Sequence, residues 1–180
     1  MDSSLTPAAS PRPSLHSLDS LAARTLDELD ALYRAAAASS TMRAADGQLV
    51  GRVLAVRGLP GALDAPLRRW VASPSFVWEG KTFQAASDHH GAGHNRVHVP
   101  GLLGRQSLFP FATSFGPSAL DGQPTLLLDY ELPGNPSYIR RIHDEIREVA
   151  PGVFLGPAMW KTAAGGKALV LWFGLESRLS

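Results

Sequence analysis

The sequence contains no cysteine, which excludes disulfides, thiolate metal ligands and cysteine nucleophiles. It has no apolar run long enough to cross a bilayer, and its first residues lack the apolar segment of a secretory signal. Lysine and arginine are not clustered and the formal net charge is +1, so no surface for nucleic-acid phosphates is indicated. We therefore expect a cytoplasmic protein without a nucleic-acid or membrane partner.

The short motifs of several large enzyme classes are also absent. There is no G-x-S-x-G nucleophile elbow, no P-loop and no G-x-G-x-x-G ahead of a helix. The histidine spacing matches no established metal motif. We expect neither a metal nor a cofactor.

The 180 residues are enough for one domain with a substantial core. Residues 1–17 are rich in serine, proline and alanine, which predicts a disordered tail, and a single domain is expected over 18–180. Thr25 and Glu28 form a candidate capping box ahead of leucines at helical spacing. This pattern predicts an N-terminal helix from about Leu18 or Thr25 to Ala38.

A second helix is predicted at about 136–150. Asn135 can cap it, Pro136 suits its first position, and Pro151-Gly152 would end it. Four apolar side chains recur at helical spacing in this segment, namely Ile139, Ile142, Ile146 and Val149. They would form one apolar stripe that packs on the strands.

The rest of the chain shows short strand patterns separated by turn signals. The predicted strands are Gln48 to Arg57, Phe76 to Gln84 with a break at Gly80, His94 to Val99, Ser107 to Phe115 with an edge or bulge at Pro110, a strand from Thr125, and two last strands joined by a hairpin at Gly165-Gly166. A short helix is predicted at Ala65 to Ala72. Seven or eight such strands predict a mainly β fold of the α+β class, an antiparallel barrel or strongly curved sheet with an N-terminal helix and a helix at about 136–150.

Several short segments of the strand region form a series of motifs along the chain. They are Asp46-Gly47, Leu49-Val50-Gly51-Arg52, Trp78-Glu79-Gly80-Lys81-Thr82-Phe83, Asn95-Arg96-Val97, Leu128-Asp129-Tyr130, Ile142-His143-Asp144-Glu145 and Leu155-Gly156. In this order the sequence resembles the GXWXG-type lipocalin-like family of unknown function, with Val53 and Ala55 where the naming motif has Trp and Gly. The resemblance implies an antiparallel lipocalin-like β-barrel that holds a small, mainly apolar molecule, and it implies no catalytic residue.

Four histidines lie close together, at positions 89, 90, 94 and 98. Imidazole is the side chain best suited to acid–base work near neutral pH. On a strand, His94 and His98 share one face, which points either into the barrel or to solvent. His89 and His90 belong to a polar loop and are interpreted as solvent-exposed.

Asp129 and Tyr130 alternate on the strand from Thr125, so one side chain points inward and the other outward. Leu126, Leu128 and Leu132 share a face with Tyr130, which places Tyr130 inside. In the opposite orientation Asp129 would be an inward carboxylate and a candidate general base.

The candidate ligand-binding residues are large or polar side chains of the strand region. Aromatic rings around a concave apolar pocket are typical of small-molecule sites, and also of plain cores. The candidates are Trp78, Phe83, Asn95, Arg96, Phe109, Phe111, Phe115, Met159, Trp160 and Trp172.

These features favour binding of a small hydrophobic metabolite in a barrel cavity, and a homodimer is compatible with them. The alternative is a cofactor-independent cyclase, isomerase or lyase of secondary metabolism. In that case His94, His98, Asp129 and Tyr130 would supply the acid–base groups in the same cavity. Haem binding through one of the histidines is a third hypothesis.

Overall fold

The computed structural model describes residues 16–58, 77–99 and 104–177. Within these ranges, eight antiparallel strands form a closed barrel in chain order. The strands are β1 Gly47–Val56, β2 Val77–Ala85, β3 His90–Val99, β4 Gly104–Pro117, β5 Pro124–Asp129, β6 Ile142–Ala150, β7 Val153–Lys161 and β8 Lys167–Ser177. Strand β1 pairs with β8 and closes the ring. The predicted β-barrel is confirmed.

Two short helices precede the barrel, α1 (Leu18–Ala22) and α2 (Leu26–Ala35). Each begins with a capping box, formed by Ser17 with Ser20 and by Thr25 with Glu28. The chain therefore forms two helices where the leucine spacing predicted one. Both helices pack on the outside of the barrel, α1 against β1 and β8, and α2 against β6 and β7.

The helix predicted at about 136–150 is wrong. The chain forms one turn of 3-10 helix at Ile139–Arg141 and then enters strand β6. Ile142 and Ile146 are four residues apart, and this even spacing places them on one face of a strand as well as of a helix. Asp144, on the inner face, and Glu145, on the outer face, are also buried. Glu145 is buried because α2 covers this part of the outer face.

Two strand irregularities match local sequence signals. Strand β2 continues through Gly80, where the register with β3 shifts. Gly80 has a φ of 130° and lies so close to the β1 backbone that a side chain would not fit. Strand β4 is irregular at Phe109-Pro110, opposite the shift between Gly93 and Asn95. The bulge predicted at Pro110 is thereby confirmed, and it gives Phe109 a φ of 54°.

The apolar core has two parts. One fills the barrel interior and includes Met42 and Ala45 of a second 3-10 helix (Met42–Ala45), which closes the end of the barrel where β1 begins. The other lies outside, between the helices and strands β6 to β8, where the rings of Tyr33 and Trp172 are 5.4 Å apart.

No helix within the described ranges is long and apolar enough to cross a membrane. The predicted tail at 1–17, apart from its last two residues, and the predicted helix at Ala65 to Ala72 fall outside the described residues.

Candidate ligand-binding cavity

A cavity of about 150 Å³ lies in the half of the barrel opposite the 3-10 helix Met42–Ala45. Most of its wall is apolar and includes Val53, Val97, Ile142, Ala158, Leu171 and Phe173. A dry apolar cavity of roughly 150 Å³ is known to accept a molecule the size of benzene. The cavity is therefore large enough for a compact ring-sized guest, and smaller than the pockets that enclose drug-sized ligands.

One side of the cavity is polar, and we call its four residues, Lys81, Asn95, Tyr130 and Asp144, the polar wall. The Lys81 ammonium donates to Asn95 Oδ1 at 2.9 Å, to the Tyr130 hydroxyl at 2.6 Å and to Asp144 Oδ2 at 2.9 Å. The Tyr130 hydroxyl also donates to Asp144 Oδ2 at 3.0 Å. Four side chains from four different parts of the barrel thus converge on one point.

The sheet register places the polar wall. Lys81 and Asn95 are direct cross-strand partners on β2 and β3, with side chains directed inward. Asp144 lies on β6 between the inward residues Ile142 and Ile146, and Tyr130 follows the last residue of β5. These side chains converge because inward positions of a closed barrel face each other across a narrow interior.

Asn135 holds the chain segment after β5 in place. Its side-chain amide donates to the carbonyl oxygens of Pro110 and Tyr130, each at 2.8 Å. Trp78 donates its indole N–H to Asn95 Oδ1 at 3.0 Å, so the amide that contacts Lys81 is itself oriented by a neighbour.

Burial lowers the pKa of the Lys81 amine, and the nearby Asp144 carboxylate opposes this effect without cancelling it. Four aromatic rings surround the nitrogen at 5.1–5.4 Å from their centroids, those of Trp78, Phe111, Tyr130 and Phe173. Burial, together with the Asp144 charge, raises the pKa of the Tyr130 hydroxyl well above its usual value. At neutral pH the Tyr130 hydroxyl therefore keeps its proton and donates a hydrogen bond, and Lys81 is closer to losing its proton than a lysine in water.

Asp144 has an unused hydrogen-bonding capacity. Its Oδ2 accepts from Lys81 and Tyr130, whereas Oδ1 is buried and has no hydrogen-bond partner among the described residues. An unpaired carboxylate oxygen in a protein interior is costly, and such groups usually acquire a partner. A ligand that donates a hydrogen bond is one source of that partner.

No protein-family model matches the sequence, and no curated protein matches it. The structure is similar to the crystal structure of a protein from Thermomonospora curvata, with a TM-score of 0.53 and 19% sequence identity. The match covers 87% of this chain and 89% of that chain. The likeness shows the fold alone.

The structure places the predicted acid–base residues in different locations. Tyr130 is in the polar wall, on the inner face, as the leucine pattern predicted. Asp129 is exposed, and its carboxylate is 3.6 Å from the Lys161 ammonium. His94 and His98 lie on the β3 face opposite Asn95, outside the barrel. The placement does not support a cavity role for either histidine or for Asp129.

The predicted ligand-binding residues also divide into groups. Trp78, Asn95, Phe109, Met159 and Trp160 line the cavity. The other five do not line it. Phe83 and Phe111 pack in the interior core beside the cavity.

The remaining three have partners elsewhere. Phe115 contacts His89, with ring centroids 6.4 Å apart. Trp172 packs outside the barrel against Tyr33, and Arg96 donates to the Leu49 carbonyl at 2.7 Å.

Sequence reasoning missed Lys81 and Asp144. Lys81 and Phe83 are two residues apart on β2 and therefore share a face of the strand. This spacing could have placed the lysine on the inner face. Asp144 is likewise two residues from Ile142 and from Ile146 and shares their face of β6. The prediction of a helix here placed Asp144 on the solvent-exposed face instead. Among the described residues there is no cluster of three or more potential metal ligands.

Proposed function

We propose that this protein binds a compact, neutral and mainly apolar molecule in the cavity, with one polar group of the ligand against the polar wall. One observation carries the proposal, namely an apolar cavity in which Lys81, Asn95, Tyr130 and Asp144 converge on one side. Apolar walls with a few convergent polar groups are the common pattern of small-molecule sites. A lipocalin-like assignment forms part of this proposal and is supported by the closed eight-stranded barrel.

The charge of the cavity favours a neutral ligand. Among the described residues, the charged side chains that line it are Lys81 and Asp144, which neutralise each other across 2.9 Å. A carboxylate ligand would bring a second negative charge beside Asp144 without a free cation, and the loss of its hydration would not be offset. An alcohol, phenol or carbonyl compound needs only hydrogen bonds.

A cofactor-independent cyclase, isomerase or lyase is the second candidate, and one observation favours it. Lys81, Tyr130 and Asp144 share a hydrogen-bonded chain in which protons can move between neighbouring atoms. General acid–base catalysis requires such groups within reach of a bound substrate. The catalytic groups would then be these three residues, since the candidate histidines and Asp129 lie outside the cavity.

Ligand binding can be tested by the fluorescence of Trp78 and Trp160, which line the cavity. We expect benzyl alcohol to change the fluorescence saturably and benzoate to have little effect at the same concentration. In Ala158→Leu the larger side chain would fill part of the cavity and weaken binding at least about tenfold. Ala112→Leu is the matched control, because Ala112 is exposed on β4.

Two results would contradict the proposal. One is equal binding of benzoate and benzyl alcohol, and the other is unchanged binding in Ala158→Leu. Native mass spectrometry of the purified protein supplements the titration, since a co-purified neutral compound would identify the ligand.

A further inference from the structure

We propose that Lys81 captures aldehyde or ketone ligands of the cavity as a reversible imine. This inference rests on the proposed ligand-binding function and narrows it to carbonyl compounds. It starts from the placement of a primary amine against an apolar cavity, with a proton donor and a proton acceptor both in hydrogen-bond contact with the nitrogen.

Lys81 differs from the other lysines of the chain. There are three lysines, and Lys161 and Lys167 are at the barrel exterior, the first with 30% of its side chain exposed and the second also exposed. Lys81 is 3% exposed and lines the cavity. Among the described residues, Lys81 therefore presents the single amine that a carbonyl compound meets in the cavity.

The neighbours of Lys81 provide a route to the neutral amine that nucleophilic attack requires. Transfer of one proton from Lys81 to Asp144 Oδ2 along their 2.9 Å hydrogen bond produces an amine and a carboxylic acid without changing the net charge of the cavity. Burial lowers the pKa of Lys81, and the Asp144 carboxylate opposes this effect without cancelling it. Desolvation in an apolar pocket is an established way to activate a lysine nucleophile.

The covalent step balances without an oxidant or a reductant. The Lys81 nitrogen lone pair attacks the carbonyl carbon, the C–N bond forms, and the carbonyl oxygen takes a proton from the Asp144 carboxylic acid, directly or through the Tyr130 hydroxyl. The nitrogen then gives a proton to the Asp144 carboxylate, which passes it to the hydroxyl oxygen. The C–O bond breaks as the nitrogen lone pair forms the C=N bond, and water leaves. Amine, carbonyl compound and Asp144 carboxylic acid thus give a protonated imine, the Asp144 carboxylate and water.

Tyr130 is placed to pass protons in this sequence. Its hydroxyl is 2.6 Å from Lys81 Nζ and 3.0 Å from Asp144 Oδ2. The hydroxyl stays protonated at neutral pH, because burial raises its pKa. A carbonyl oxygen bound near this hydroxyl would receive a hydrogen bond that also polarises it for attack.

The test uses the full chain, benzaldehyde and sodium cyanoborohydride, which reduces an imine to a stable secondary amine. Intact mass spectrometry should show one benzyl group per chain, and peptide mapping should locate it on Lys81. We expect labelling of Lys81 at least about tenfold faster than labelling of Lys161 or Lys167, because binding holds the carbonyl beside the amine. Lys81→Met should lose the fast label, whereas Lys161→Met should keep it.

The binding measurement separates failure of this inference from failure of the proposed function. If benzyl alcohol and benzaldehyde bind but the label is spread over the exterior lysines, imine capture is overturned and ligand binding stands. If neither compound binds, both proposals are overturned. Mapping the label on the wild-type chain decides the matter even if Lys81→Met fails to fold. Tyr130→Phe keeps the lysine and should slow the labelling without moving it to another site.

Discussion

The Lys81 ammonium lies 2.9 Å from the Asp144 carboxylate inside the barrel, and the two side chains are 3% and 5% exposed. Each charge is stabilised chiefly by the other, because little water reaches this point. A buried pair of this kind contributes little net stability, but removal of either partner is expensive because the remaining charge has no counter-ion.

Lys81→Met should destabilise the protein by about 3–5 kcal/mol, since it leaves the Asp144 carboxylate buried without its cation. The double variant Lys81→Met/Asp144→Leu should be more stable than the sum of the two single changes implies. Urea unfolding of the wild type, both single variants and the double variant gives this coupling free energy. Strictly additive effects would contradict a direct ion pair.

The contribution of Lys81 to the stability of the fold should rise with pH as the solution approaches the ordinary lysine pKa of 10.5. The folded-state pKa of Lys81 is lower than this value, so between the two pKa values the unfolded chain binds more protons at this lysine than the folded one. Tyr33 and Tyr130 act in the opposite direction as the pH approaches the ordinary tyrosine pKa of 10.0, because their folded-state pKa values are raised. Both tyrosines are also present in Lys81→Met, so the difference between the two proteins isolates the lysine. The urea concentration at the unfolding midpoint should increase across the window in the wild type relative to Lys81→Met, and parallel curves would contradict a lowered pKa of Lys81.

The sequence predicted the barrel but not the buried pair Lys81 and Asp144 inside it. The difference depends on whether the alternation of inward and outward side chains is visible in the polarity of a strand. The inward placement of Tyr130 is visible in the sequence because Leu126, Leu128 and Tyr130 recur at every second position while the neighbouring Asp129 is charged. In β6 the alternation is hidden, since Asp144 on the inner face and Glu145 on the outer face are both buried and both acidic. Only the packing of α2 on the barrel exterior explains why a charged residue is buried on the outer face.

The exterior cluster beneath α2 illustrates the same point, because it depends on contacts between distant parts of the chain. Tyr33 donates to Glu145 Oε2 at 2.8 Å, and Arg147 donates to the Tyr33 carbonyl and to Asp121. Tyr33 and Glu145 are 112 positions apart in the sequence. Hydrophobic periodicity cannot indicate such pairs, since it reports only which face of an element is apolar.

Tyr33→Phe should destabilise the fold by about 1–3 kcal/mol, because it removes a hydrogen bond to the buried Glu145 carboxylate. Tyr138→Phe is the matched control. Tyr138 is 56% exposed, and the same change there should have an effect within about 0.5 kcal/mol. Thermal or urea unfolding measures both variants. Equal effects at the two positions would contradict a stabilising contact between α2 and β6.

Glu145 should make the fold sensitive to acid. Burial raises the pKa of this carboxyl, but hydrogen bonds from His143, the Ala119 amide, Ser118 and Tyr33 lower it more, and the net pKa is below the ordinary 4.5. The folded state therefore binds fewer protons than the unfolded chain between the two pKa values. The contribution of Glu145 to stability is fully present above pH 4.5 and is lost as the pH falls through the lowered folded-state pKa.

Glu145→Gln has no carboxyl group to titrate at this position. Its stability should therefore fall less steeply below pH 4.5 than that of the wild type, as measured by unfolding at a series of acidic pH values. Parallel acid profiles would show that the carboxylate contributes nothing to the attachment of α2.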